Sequence, residues 1–203
     1  MSKVRTFSRT FPPGHINAGK QTWFVEKILT GLNVNYKSDW YLQRLLVFNT
    51  KNIATGKLTY HNIKTFWLSL QPTPVTKHHT IRAGIHFKPG EKFSPRTWFG
   101  KPYNSPQIIF WEDLEVKYCP EFYRDPSGNW LINKVVLSGL ERIELSIGDG
   151  LEYKDMLSWF DEEFHGQIIC WMDGVLYGYQ LSCRVNEQVV CDICKQPYTI
   201  EEK

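Results

Sequence analysis

The chain has 203 residues, 42% hydrophobic and 22% charged, a balance that excludes disorder and allows an ordinary core without disulfide or metal staples. Its net charge of +3 hides a split: residues 1–110 hold 16 Lys and Arg against three acids (Glu26, Asp39, Glu91), and residues 111–203 hold 8 against 18. No stretch approaches the ~18 consecutive apolar residues of a membrane span, and no apolar run follows Met1–Arg5, so neither a span nor a secretory leader is expected.

Residues 4–11 read as a short strand stopped by Pro12-Pro13-Gly14. From Gly19 to about Leu32, Trp23, Val25, Ile28, Leu29 and Leu32 recur at three-to-four spacing, which predicts a helix. Ser38-Asp39 is placed to cap a second helix through Phe48, with a strand as the alternative. Residues 49–62 are polar with Gly and Asn, the composition of a loop or hairpin, and Pro72-Thr73-Pro74 breaks the chain. Beyond it the sequence turns strand-rich. His79–Arg82 is β-prone, and Lys88-Pro89-Gly90-Glu91 has Pro and Gly at the central positions of a type II turn. Gln107–Cys119 reads as a long β segment, and Asp125–Asn129 as a turn into Trp130–Leu137. Two helical stretches, Ser138–Ile147 and Leu151–Phe160, flank Gly148-Asp149-Gly150, and Gly166–Trp171 reads as a buried strand. This order predicts an α+β fold with a mostly antiparallel sheet able to curl into a small barrel, an N-terminal helical addition, and one domain over residues 1–180. Residues 181–203 are a tail.

The segment Lys77-His78-His79-Thr80-Ile81-Arg82 is the leading candidate for a ligand site. In a strand His78, Thr80 and Arg82 share one face, and Lys77 meets Thr80 only from a turn ahead of the strand. A lysine base must be desolvated or lie beside another cation, for which His78 and Arg82 are available. Arg82, Arg96 and Lys101 follow closely with Trp98 and Tyr103 among them. Guanidinium forks suit phosphate, and rings stack bases at ~1–3 kcal/mol each. With acids so scarce before residue 110, the expected partner is RNA or a nucleotide; solvated charge beside core rings is the plainer alternative. Asp149 reads either as a cleft carboxylate or as a helix N-cap with Glu152 as its capping-box partner.

Five cysteines, odd in number and unevenly spaced, fit reduced thiols and a cytoplasmic location. Cys191-Asp192-Ile193-Cys194 is half of a zinc knuckle; a structural zinc there needs two further ligands, with Cys170 and Cys183 available. No other cofactor is implied.

Lys77, Thr80-Ile81-Arg82, Lys88-Pro89-Gly90-Glu91, Phe93-Ser94-Pro95-Arg96 with Trp98, Asp149-Gly150-Leu151, Trp159-Phe160 and Ile168–Trp171 together resemble the ASCH branch of the PUA-like β-barrel superfamily, in its larger phage-associated form, over roughly residues 70–172. The resemblance implies RNA or modified-nucleotide binding in a basic cleft. His78, Thr80 and Arg82 would line one wall, Arg96 and Trp98 a second, with Lys77 and Asp149 at the mouth. The alternative it implies is an amidohydrolase acting on an acylated pyrimidine nucleoside such as acetylcytidine, with Lys77 as base, Thr80 as nucleophile and Asp149, one methylene shorter than the family's Glu, as acid. A protein-interaction module engaging a partner through the acidic half is the third expectation. Gly19-Lys20-x-Thr22 with Glu26-Lys27 also resembles an ASCH-like Gly-Lys-x-Thr pattern, but its helical periodicity marks it as coincidental.

Overall fold

Residues 2–173 are described by the structure, a computed structural model. In chain order they form β1 (Lys3–Thr6), α1 (Phe24–Gly31), α2 (Asp39–Phe48), α3 (Thr50–Ala54), α4 (Tyr60–Ser69), β2 (His79–Ala83), β3 (Lys92–Trp98) and β4 (Gln107–Ile109). There follow β5 (Leu114–Glu115), β6 (Glu121–Arg124), β7 (Trp130–Ile132), β8 (Val135–Val136), α5 (Gly139–Gly148), α6 (Tyr153–Trp159) and β9 (Phe164–Cys170). Cys183, Cys191, Cys194 and the expected tail lie outside the described residues.

The strands make two sheets. In one, β3 pairs antiparallel with β4 and β5 and parallel with β1. The other runs β2-β9-β6-β7-β8, all antiparallel. The α+β class is as expected, but no closed barrel forms among the described residues. The predicted Gln107–Cys119 strand breaks after Ile109 because helix α2 takes its backbone groups. Asn49 Nδ2 donates to Ile109 O (2.8 Å), and Tyr41 OH donates to Phe110 O (2.7 Å). Backbone bonds satisfied by side chains are lost to the ladder. Between the sheets Phe7, Phe93, Phe110 and Trp171 interlock edge-on, with Phe7–Phe110 and Phe7–Trp171 centroids both 5.9 Å apart.

The helical addition is larger than its composition suggested. Ser38 Oγ accepts from Tyr41 N to start α2 as expected. The predicted loop at 49–62 is instead α3 and the opening of α4, because Thr59 and Asn62 form a reciprocal capping box and the polar residues face outward. The predicted Gly19–Leu32 helix begins only at Phe24, since Gln21 bridges Thr10 and Trp23 adopts a left-handed backbone (φ 57°). At Gly166 a side chain cannot fit: a Cβ there would lie 2.1 Å from Arg82 O, so β2 and β9 pack as closely as they do only around glycine. No described helix is long and apolar enough to cross a membrane.

Candidate functional site

The segment before β2 runs between α1, the α5–α6 turn and β9. Lys77 N donates to Lys27 O (3.0 Å), His78 N to Gly148 O (2.8 Å) and Trp171 N to His78 O (3.2 Å). These bonds direct the Lys77 side chain inward, ahead of the strand as its spacing required. Its Nζ is fully buried, lies over the Phe24 ring at 4.3 Å and donates to both the backbone carbonyl and the Oδ1 of Asp149. Lys27 Nζ donates to Gly150 O (2.7 Å). Gly150 sits at φ +72°, with room for a Cβ only 3.1 Å from Lys77 Cβ and 3.2 Å from Lys27 Cδ, so glycine lets the two lysines approach one turn.

Burial governs the protonation of this pair. It lowers the Lys77 pKa to about 8, against the opposing pull of Asp149, and raises that of Asp149 despite the Lys77 charge. Both groups move toward their neutral forms. Arg82 adds a third cation, its own pKa lowered by burial and supported by Asp149 and Tyr103; its Nη2 donates to Thr6 O (2.8 Å), joining the two sheets. His79 is fully buried, and burial followed by the Lys77 charge drives its pKa well down, so its imidazole is neutral. Three cations thus surround one carboxylate.

A cavity of about 430 Å³ opens where the two ends of the early loop meet β3. Ser8, Arg9 and Thr10 line it with Gln21 and Trp23, opposite Thr97–Gly100 and Pro102, while Ser69 and Gln71 from the end of α4 close the side. Its size falls within the range of small-ligand pockets. Arg9 reaches Ser69 Oγ through Nη1 (2.9 Å) and Glu26 Oε1 through Nη2 (3.5 Å). Two aromatic residues at this rim hold a left-handed backbone: Trp23 at φ 57° and Tyr103 at φ 63°. Such a conformation costs a bulky side chain on the order of 1–3 kcal/mol and concentrates at functional positions. Tyr103 is 87% exposed and tilts against Trp98 at 5.4 Å.

The structure divides the expected residues between these two places. Lys77 and Asp149 converge, but inside the protein rather than at a mouth. Asp149 is the C-cap of α5 and not the N-cap of the next helix; Glu152 precedes α6, and the Asp149 carboxylate turns to Lys77 instead. Thr80 is buried and pairs with Ile169 in the ladder; among the described residues no hydrogen bond joins its hydroxyl to Lys77. His78 precedes β2, its ring placed against Gly31, so only Thr80 and Arg82 share the strand face. Arg96 donates through Nε to Ser94 Oγ (3.2 Å), and Lys101 is exposed. Of the expected ligand residues, Trp98 alone lines the cavity, with Tyr103 beside it.

Lys27, Arg9, Gln21 and Trp23 were not expected at a site. The Gly19–Lys27 pattern that helical spacing discounted supplies three of them, and the missed signal is Gly19 itself (φ +78°), which turns the chain before any helix begins. Among the described residues no cluster of His, Cys, Asp and Glu could hold a metal, and burial raises the Cys170 pKa to about 11, leaving an inert thiol. No family model, curated protein or solved structure matches this chain.

Proposed function

We propose that the protein binds RNA or a modified nucleotide, with the base held in the cavity between Trp23 and Trp98. The observation that supports this most is the cavity lining: indole rings for stacking, amide and hydroxyl groups of Gln21, Gln71, Ser8 and Thr10 for base edges, and Arg9 for negative charge. These residues all belong to the acid-poor part of the chain, whose field favours a polyanion. The test is nucleotide and oligonucleotide binding between 50 and 200 mM salt. Affinity falls steeply with salt, and Trp98→Ala weakens it at least about tenfold with an unchanged melting temperature. Salt-independent binding, or full affinity in Trp98→Ala, rules the reading out.

Amide hydrolysis of an acylated pyrimidine nucleoside is the second reading, favoured by one observation: a buried lysine with a pKa of about 8 bonded to a carboxylate. Thr80 would attack the acyl carbon as Lys77 accepts its proton, and Asp149 would protonate the leaving nitrogen as the C–N bond breaks. A water would then hydrolyse the Thr80 ester, releasing the carboxylic acid and restoring the hydroxyl. Lys77, Thr80 and Asp149 line none of the three described cavities. Turnover of acetylcytidine by the wild type, lost in Thr80→Ala and Lys77→Met, is the expected result; no wild-type turnover ends it.

A further inference from the structure

We infer that the outward face of α2 is a stacking platform for single-stranded nucleic acid running out of the Trp23/Trp98 cavity, which makes the ligand an oligonucleotide rather than a lone nucleotide. The inference rests on the nucleotide-binding reading and adds a second surface to it. Trp40 is 56% exposed although it is among the costliest side chains to leave in water. Its ring does not hang free. Arg44, one turn on, lies over Trp40 (6.0 Å) and Phe48 (4.9 Å), and Trp111 packs against Trp40 at 6.4 Å and Phe48 at 6.0 Å. Glu112 Oε2 stands 3.5 Å from the Arg44 guanidinium.

The result is a row of mutually tilted rings and a guanidinium along one helix face, with Trp40 open to solvent. Exposed Lys37 and Lys51 stand at its two ends. Between residues 35 and 68 the chain carries Lys37, Arg44, Lys51, Lys57 and Lys64 against a single acid, Asp39. Rings interleaved with cations form the footprint of sequence-tolerant single-strand binding, because every base offers a π face and every linkage a phosphate.

The approach to α2 is tied to the cavity wall. Trp67 Nε1 donates to Tyr36 O (2.9 Å) and Tyr36 OH donates to Gln71 O (3.2 Å), so the residues leading into α2 are bonded to the wall of the cavity.

The test compares two probes, uridine monophosphate and a fluorescein-labelled ten-nucleotide oligouridylate, on the wild type, Trp40→Ala, Lys37→Gln/Lys51→Gln and Trp98→Ala. Trp40→Ala weakens the oligonucleotide about tenfold and leaves the mononucleotide and the melting temperature unchanged. The double Gln variant lowers the salt slope of oligonucleotide binding by roughly 1.4. Trp98→Ala weakens both probes. Equal oligonucleotide affinity in Trp40→Ala and wild type overturns the platform while leaving the cavity reading intact. Oligonucleotide binding that needs Trp40 but not Trp98, with no mononucleotide binding, removes the cavity and keeps the platform. A wild type that binds neither probe overturns both.

Discussion

The Lys77 and Asp149 side chains are 1% and 7% exposed, whereas those of Lys154 and Glu152 are 64% and 70% exposed, and the same pairing behaves oppositely in the two settings. At the surface attraction wins: the hydrogen bond to its partner raises the pKa of Lys154 and lowers that of Glu152. Inside, loss of water wins. Lys77 falls and Asp149 rises although each bonds the other. Burial therefore biases the inner pair toward its neutral forms, while the exposed pair holds its charge and is screened by salt. The direction of the Lys77 shift is set by its surroundings, not by its partner.

Removing one member of the inner pair should expose this contrast most strongly. Asp149→Ala strands a buried ammonium, and a loss of roughly 3–5 kcal/mol in urea unfolding is expected. A loss below about 1 kcal/mol would show that water already reaches Lys77. The next effect is in pH. Lys77 gives up its proton near pH 8 when folded but near 10.5 when unfolded, so between those values the unfolded chain holds more protons and stability rises with pH. The rise is complete above 10.5 and absent below 8, and its full size is roughly 3 kcal/mol. Lys77→Met lacks this increment, so the wild-type and variant stability curves diverge by that amount across pH 8–10.5. Parallel curves across pH 8–10.5 would contradict the lowered pKa.

Gly150→Ala comes third. It forces an L side chain to φ +72° and brings a Cβ within 3.1 Å of Lys77, at an expected cost of about 1–3 kcal/mol by thermal or urea unfolding. If the variant is as stable as the wild type, the lysines are not held by this turn.

Much of the inner site was legible because it lies on local rules. The spacing of Lys77 and Thr80 required a turn before β2, the Lys88-Pro89-Gly90-Glu91 turn has Gly90 at φ +84°, and the helical stretch expected over Ser138–Ile147 is α5. What escaped depends on partners far along the chain. Asp149 could not be separated from an N-cap by sequence, because a capping carboxylate and an ion-pairing one look alike until Lys77, 72 residues earlier, is placed. The break after Ile109 needed Asn49 and Tyr41, 60 and 69 residues away. Trp23 misled for a different reason: it fits the apolar period of α1 and yet stands outside the helix, its left-handed backbone set by the bridge between Thr10 and Gln21. Periodicity reads faces and cannot read where a loop returns.

The smallest effect belongs to the outer pair. Lys154→Ala removes a hydrogen bond of 2.8 Å to Glu152, yet both groups remain solvated before and after, and ordering two long side chains offsets most of the attraction. The urea midpoint should be unchanged, and the small wild-type response to salt should be no larger than the variant's. Should Lys154→Ala instead lower the midpoint as Asp149→Ala does, exposure would not be the variable that separates the two pairs. The pKa displacement at Lys77 would then need a cause other than the loss of water around it.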